Sequence, residues 1–202
     1  MYIPAHFRED RPEILRDAVR NIGLGTLVTD SGGQIEANHI PMLLDGDKLF
    51  GHFAKANFVW QTLEAGAAVL AIFLGPHFYT SPSWYPSKHE TGKGVPTWNY
   101  ISVQVRGRIT LYDNVDWLRA HVGALTQQQE QKRVNPWDVE DAPAEYIQSL
   151  LRAIVGFEIS ITEMEGKWKM SQNRSAADIL GVKDALTREC RPDLAQLVPP
   201  KS

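Results

Sequence analysis

Two tight turns early in the chain constrain its fold most strongly. Asp30–Gly33 and Asp45–Asp47 are rich in Asp and Gly, and they separate three short apolar segments, residues 26–29, 34–44 and 48–53. Turns of this composition join antiparallel strands directly. The segments therefore predict an antiparallel meander, in which Pro41 marks an edge or a bulge of the second strand.

Further strand signals follow along the chain. Ala67–Leu74 is a nearly continuous apolar run, which predicts a fully buried strand. Residues 98–112 alternate between apolar and polar side chains, and Val155–Thr162 does the same. The helix signals lie between and after these strands, at residues 12–22, 57–64, 114–133 and 144–153 and after the capping Ser175.

These elements predict a mainly β (α+β) fold with peripheral helices. Six or more antiparallel strands favour a closed antiparallel β-barrel, because closure removes exposed sheet edges. We expect one domain over residues 1–190 and a flexible, proline-rich tail over residues 191–202.

Composition excludes several function classes. The 202 residues include 21 Lys and Arg against 24 Asp and Glu, a net charge of −3 that does not favour wholesale capture of DNA. Cys190 is the one cysteine, which excludes an internal disulfide and suits a reducing compartment. The sequence has neither a membrane-spanning apolar run nor a signal-peptide pattern at its start, so we expect a soluble cytoplasmic protein.

The common catalytic motifs are missing from the sequence. It has no Gly-rich phosphate loop, no His-Glu-x-x-His motif and no nucleophile elbow. The six histidines lack metal-ligand spacing, so no metal site is predicted. No helix-turn-helix signature is visible.

Three polar and aromatic clusters are the candidate binding residues. Gly51–Asn57 runs from a strand into a helix and offers Lys and His donors to an anion; the alternative is a helix cap with solvated neighbours. Residues 80–86 and 95–100 suit a flat heteroaromatic ligand, or else form a rigid aromatic loop packed on the core. Lys167–Ser175 follows the last predicted strand and is dense in donors, or else is a solvated basic turn around Trp168.

The motifs in these clusters resemble those of the PaiB-type FMN-binding negative transcriptional regulators. The similar segments are Tyr79–Tyr85, Val95–Tyr100 and Lys169–Arg174, together with Met1–Phe7 and Asn38–Pro41. They occur in the same order and span the chain from Met1 to about Leu186. One departure is Asn57-Phe58, where family members carry Asn-Pro-Gln-Trp.

The resemblance implies the FMN-binding split barrel and a homodimer, with two FMN sites at its interface that are each built from both chains. The phosphate is then expected near His39 and the residues of the first cluster, which are His52, Phe53, Lys55 and Asn57. The isoalloxazine ring is expected near Thr97, Trp98 and Asn99, with Gln172, Asn173 and Arg174 reaching in. The loop of residues 81–96 would cover the substrate side of the flavin through Ser81, Ser83, Trp84 and Tyr85.

Three functions stay open at this point. The resemblance implies a regulator of degradative-enzyme and sporulation genes that acts on DNA directly or through a regulatory protein. The alternative is an FMN-dependent oxidoreductase that uses a reduced nicotinamide and a small substrate. A third interpretation is a dimeric binding protein for flavin or a haem-like ligand, with His77 or His89 as the iron ligand.

Overall fold

The strands form one antiparallel sheet of eight strands with helices around it. The computed structural model describes residues 1–200, apart from the side chain of Ser31. In chain order the strands are β1 (Arg8–Glu9), β2 (Leu24–Ser31), β3 (Gln34–Pro41), β4 (Leu43–Asp45), β5 (Lys48–Ala54), β6 (Ala68–Thr80), β7 (Thr97–Tyr112) and β8 (Ile154–Lys169).

Seven α-helices lie within the described residues. They are α1 (Pro12–Ile22), α2 (Val59–Thr62), α3 (Pro86–Thr91), α4 (Val115–Glu130), α5 (Ala144–Leu151), α6 (Ala176–Arg188) and α7 (Pro192–Leu197). None of these helices has the length and apolar character needed to cross a membrane.

The described chain divides into two compact units. The barrel unit comprises residues 16–73 and 104–164, and the terminal unit comprises residues 1–15, 74–103 and 165–200. The domain boundary at residue 190 stays a prediction.

The strand order and one short connection bring the two ends of the sheet together. The path is β3-β2-β6-β7-β8-β5-β4, so β3 and β4 stand at its two ends. A flat sheet of seven strands would hold its end strands about 29 Å apart at a spacing of about 4.8 Å. Only Met42 joins β3 to β4, so the sheet curls until its ends meet, as the predicted closed barrel requires.

The predicted meander is correct in its hairpins and wrong in its continuity. β2 pairs with β3 across the first turn, and β4 pairs with β5 across the second. The expected strand of residues 34–44 is interrupted at Met42, and β5 then pairs with β8. Pro41 ends β3, which lies at an end of the path, as its missing N–H favours.

The apolar run predicted to be fully buried is buried only at every second residue. In β6 the side chains of Val69, Ala71 and Phe73 are buried, whereas Leu74 is 55% exposed. Leu70 and Ile72 are half-buried because successive side chains of a strand leave opposite faces of the sheet. The barrel unit therefore presents an apolar outer face as well as an apolar core.

The terminal unit has its own core, formed where strands meet α6 and α7. Its members are Phe78, Tyr85, Ile101, Met170, Ile179, Val182, Leu186, Leu194, Ala195 and Val198. Residues 192–197 form α7 and Val198 is fully buried, so this part of the predicted loose tail is an ordered helix packed on the core. The last two residues of that tail lie outside the described residues.

Candidate functional site

A cleft in the terminal unit collects side chains from β6, β7 and the segment between them. Its volume is about 590 Å³, within the range of small-molecule sites. Its polar and aromatic lining residues are His77, Phe78, Tyr79, Ser81, Ser83, Trp84, Trp98, Glu189 and Arg191. The structure thus brings Trp98, predicted beside the flavin, together with Ser81, Ser83 and Trp84 of the predicted substrate-side loop.

Trp98 is the central feature of an exposed aromatic face. Its side chain is 55% exposed, and the ring centroids of His77 and Tyr79 lie 6.2 and 6.0 Å from it. His77 and Tyr79 alternate with the buried Phe78 on β6, so they share the outer face of the strand. Large aromatic side chains left exposed together indicate a ligand or partner surface. We refer to His77, Tyr79 and Trp98 as the Trp98 face.

Asn99, the neighbour of Trp98, points to the opposite side of β7. It is 1% exposed, and its Nδ2 donates to Thr80 Oγ1 at 3.1 Å and to Ser171 Oγ at 2.8 Å. These bonds link β7 to β6 and to the turn after β8. In this arrangement Asn99 positions the strand that carries Trp98.

The segment after β8 carries the three other residues that were predicted to lie beside the flavin ring. Their side chains have different surroundings. Gln172 accepts a hydrogen bond from the Met170 N–H at 2.7 Å and donates to the Trp168 carbonyl at 2.5 Å, so its amide braces the turn. Asn173 is exposed. Arg174 is half-buried, with its guanidinium 4.6 Å from the ring centroid of Tyr85.

The predicted loop of residues 81–96 is helical over much of its length. Pro82–Trp84 forms a 3₁₀ turn and α3 follows it. Tyr85 is only 1% exposed, and burial raises the pKa of its phenol. A Cβ on Gly181 of α6 would lie 2.1 Å from the Trp84 carbonyl oxygen, so only glycine allows this close approach.

Asp178 anchors the same segment to α6. The Ser87 N–H and Ser87 Oγ donate to its carboxylate at 3.1 and 2.8 Å. Burial alone would raise the pKa of Asp178, but these bonds outweigh it and lower the pKa. Ser175 caps α6 as predicted by accepting from the Asp178 N–H at 3.2 Å, although the Asp178 carboxylate turns to Ser87.

The predicted phosphate residues lie in the barrel unit, each with a partner there. His39 is exposed on β3 and shares a 2.9 Å hydrogen bond with the Thr26 hydroxyl. Lys55 forms an ion pair with Asp113 at 2.6 Å. The predicted helix of residues 57–64 is shortened to the single turn of α2, too short to supply the helix terminus expected for an anion.

Asn57, which precedes α2, makes two hydrogen bonds. Its Nδ2 donates to Asn38 Oδ1 at 2.6 Å, and its Oδ1 accepts from the Val59 N–H at 3.2 Å. Asn57 therefore ties the end of β5 to β3, the strand that carries His39.

His52 and His121 form a hydrogen-bonded pair inside the barrel unit. His52 Nδ1 lies 3.1 Å from His121 Nε2, and the indole of Trp117 stacks on His121 at 5.4 Å. Burial lowers the pKa of His52; burial and the neighbouring His52 lower the pKa of His121 to about 4. Phe53 points inward, with its ring 5.0 Å from that of Phe157.

Sequence reasoning did not single out His121, and it gave no place in these surroundings to His77, considered only as a haem ligand, or to Tyr79 and Lys169, named only within motifs. His77 and Tyr79 flank Trp98, His121 contacts His52, and the Lys169 ammonium donates to the Thr97 hydroxyl. Alternation along β6 could have placed His77 with Tyr79. Nothing local could have paired His52 with a residue 69 positions away. Within residues 1–200, no group of three or more His, Cys, Asp or Glu side chains could hold a metal ion.

Comparison with known proteins gives one family. Residues 1–163 match the model of the family described as "Putative FMN-binding domain". The chain is 34% identical over 201 residues to the Bacillus subtilis protein named "Protease synthase and sporulation protein PAI 2". That alignment covers 98% of this chain and 94% of the relative.

Solved structures share the fold at low sequence identity. The FAD and haem binding protein from Mycobacterium smegmatis has a TM-score of 0.58 at 17% identity, covering 80% of this chain and 73% of that one. The flavocytochrome Anf3 from Azotobacter vinelandii also has a TM-score of 0.58, at 13% identity over 83% and 72% of the chains. These matches confirm the predicted split-barrel fold.

Proposed function

The chain belongs to the FMN-binding family whose model it matches over residues 1–163, and on this premise we propose that its Trp98 face holds the isoalloxazine ring of FMN. The observation that carries the proposal is the exposed indole of Trp98 beside His77 and Tyr79 in a cleft of about 590 Å³. A flat heteroaromatic ring needs an apolar face to lie on and donors at its edge.

The residues of the terminal unit fit such a ring. Trp98 supplies the face, and the exposed amide of Asn173 and the guanidinium of Arg174 are the donors that we propose for the ring edge. Thr97, Asn99 and Gln172 are assigned to positioning these elements. His39, His52, Phe53, Lys55 and Asn57 remain the proposed residues for the phosphate.

We further propose that the protein is a cytoplasmic, dimeric regulator of the PaiB type. The support is the full-length similarity to a relative named for protease synthesis and sporulation. DNA or a regulatory protein would be the partner. A net charge of −3 favours regulation through a protein partner, because direct DNA binding draws its affinity from basic surfaces.

A second candidate function is an FMN-dependent oxidoreductase. The cleft favours it, because Ser81, Ser83 and Trp84 form a wall beside Trp98 where a small substrate has room. Bound FMN would supply hydride and electron transfer, for example from a reduced nicotinamide. The protein residues would orient the substrate and exclude water.

Flavin binding is the first test. We expect the purified protein to retain about one FMN per chain after mixing and desalting, as its visible absorption would show. Trp98→Ala removes the ring face and is expected to weaken FMN affinity about tenfold. Trp137→Ala is the matched control, because Trp137 is 46% exposed in the barrel unit. Equal FMN affinity in both variants would contradict the proposed ring site.

Two assays on the FMN-loaded protein separate the functions. Salt-sensitive binding of a promoter fragment, or regulation restored by an added partner protein, supports the regulator. Oxidation of NADH or NADPH faster than by free FMN supports the oxidoreductase. Retained FMN with neither activity would contradict both and leave a flavin-binding protein.

A further inference from the structure

Two lysines on β8 of the terminal unit have no role in the flavin proposal. Lys167 and Lys169 are two residues apart on one strand, so their side chains leave the same face. Lys167 is 9% exposed and Lys169 is half-buried. Lysine is rarely buried unless its charge is paired, so the partners of these ammonium groups matter.

Both lysines have neutral partners. The Lys167 ammonium donates to the Tyr2 carbonyl at 3.2 Å and lies 5.2 Å from the ring centroid of Tyr100. The Lys169 ammonium donates to the Thr97 hydroxyl. No carboxylate among residues 1–200 forms an ion pair with either lysine, whereas Lys55 has one in Asp113.

The carboxylates nearest along the strands are engaged elsewhere. Glu165 precedes Lys167 on the same face of β8 and accepts from the Met1 ammonium at 3.0 Å. Glu9 lies on β1, which pairs with β8, and is bound by Arg11 at 2.8 Å. The Arg11 hydrogen bond lowers the pKa of Glu9, so this carboxylate is ionised and already paired.

The result is a concentration of positive charge. Burial lowers the pKa of Lys169. Tyr100 raises this pKa, and the positive charges of Lys167 and Arg174 lower it again. A group of cations with hydrogen-bond donors to spare is an arrangement that an anion stabilises.

The lysine pair contacts β7 at the residues on either side of Trp98 and Asn99. Lys169 contacts Thr97, the residue before Trp98, and Lys167 contacts the ring of Tyr100. Trp98 and Tyr100 are two residues apart on β7, so their side chains share a face with their Cα atoms about 7 Å apart. Lys167 therefore reaches the side of β7 that carries Trp98 through Tyr100, whereas Lys169 holds the start of the strand at Thr97.

We propose that Lys167 and Lys169 form an anion subsite, which takes a phosphate or carboxylate group of a ligand lying on the Trp98 face. The inference rests on the proposed flavin function and deepens it. The anion has two sources with the same chemistry: the acidic group of a second ligand that meets the flavin, or the phosphate of FMN itself, in which case the lysines replace the barrel-unit residues proposed above for that phosphate.

The subsite can be tested without flavin, with pyrophosphate as the probe. At constant ionic strength, millimolar pyrophosphate should raise the melting temperature of the full-length wild-type chain, because a ligand that binds only the folded state stabilises it. Lys167→Met and Lys169→Met should lose most of this rise. Two control variants should retain the rise in melting temperature. Lys169→Arg keeps the charge at the subsite, and Lys183→Met removes a lysine from a half-buried position on α6. No rise in the wild type, or equal rises in all variants, would overturn the proposal.

Comparing FMN with riboflavin identifies the source of the anion. If the lysines hold the flavin phosphate, Lys169→Met lowers the preference for FMN over riboflavin about tenfold. If they hold the anion of a second ligand, that preference is unchanged although the pyrophosphate effect is lost. Failure of both flavins to bind the wild type would contradict the flavin proposal alone, because the pyrophosphate measurement does not depend on it.

Discussion

His52 on β5 and His121 on α4 show how burial decides the protonation of single residues in the barrel unit. One ring nitrogen of the pair donates and the other accepts across 3.1 Å, so neither ring needs a proton beyond its neutral form. The Nδ1 atom of His121 is buried and has no hydrogen-bond partner among residues 1–200. A proton added to His121 would place a charge against His52 in this apolar site.

Stability should therefore fall with acidification at this pair. The pKa of His121 is about 4 in the folded chain and about 6.5 when unfolded, so the unfolded state binds more protons between these values. The stabilisation is complete above about pH 6.5, and about 2 kcal/mol of it is lost between pH 7 and pH 5. Urea unfolding at the two pH values measures this loss, and His121→Phe should reduce it.

The exposed His89 provides the control for this measurement. His89→Asn should keep the wild-type dependence on pH. The carboxylates of Glu9 and Asp178 have lowered pKa values, so they stay ionised over this range. A His121→Phe protein as pH-sensitive as the wild type would show that other groups cause the loss.

At the same scale, the sequence predicted the candidate site only in part. The aromatic segment of residues 95–100 indicated a flat ligand, and Trp98 has the exposure that this requires. Its neighbour Asn99 belongs to the same motif but faces the opposite side of β7, where it braces two other segments. Residue type alone makes both Trp98 and Asn99 candidates for a ligand site. The alternation of side chains along the strand decides that Trp98 faces the cleft and that Asn99 faces the other side.

Among the elements, the longer helices and the hairpins were predictable, whereas α3, α7 and the strand lengths were not. The glycines of the first turn indicated the β2–β3 hairpin, and the helix predicted from residue 114 is α4, which the structure shows to be capped by Asn114. β8 was predicted over residues 155–162 but continues to Lys169, because Arg8 and Glu9 pair with its end. That pairing joins residues more than 150 positions apart, so no local pattern reveals it.

The contact between α4 and β8 depends on one glycine. A Cβ on Gly156 would lie 2.1 Å from Trp117 Cζ3, so the indole occupies the space of the missing side chain. Gly156→Ala should destabilise the chain by about 1–3 kcal/mol through overpacking, measured by urea unfolding. Adding Trp117→Leu should restore part of that loss, because the two changes share one space.

Gly123, on the same helix, is the matched control. Nothing lies within 4 Å of a Cβ built there, so Gly123→Ala should stabilise α4 by about 0.5–1 kcal/mol. Equal effects of the two substitutions would show that Trp117 does not depend on Gly156.

At the scale of the molecule, the outer face of the barrel unit carries an apolar patch. Val28 pairs with Leu70 on one side and with Ala37 on the other, all on the face opposite the buried Leu27. Ile35 at the edge of this face is 72% exposed. Exposed apolar faces of this kind mark interaction surfaces, and a second copy of the chain is the occupant that the proposed dimer supplies.

A charge on this face should dissociate the dimer. A stable interface buries about 800 Å² per partner and tolerates an unpaired carboxylate poorly. Ile35→Asp is therefore expected to lower the mass in solution from twice the chain mass of 22.7 kDa towards the mass of one chain. Light scattering after gel filtration measures this change. Val134→Asp, at a position 97% exposed in a loop, is the control that should stay dimeric.

A wild type that is monomeric at every concentration would contradict the dimer. A dimeric Ile35→Asp would move the interface to another face. If FMN retention falls together with dimer mass in Ile35→Asp alone, the flavin site needs both chains.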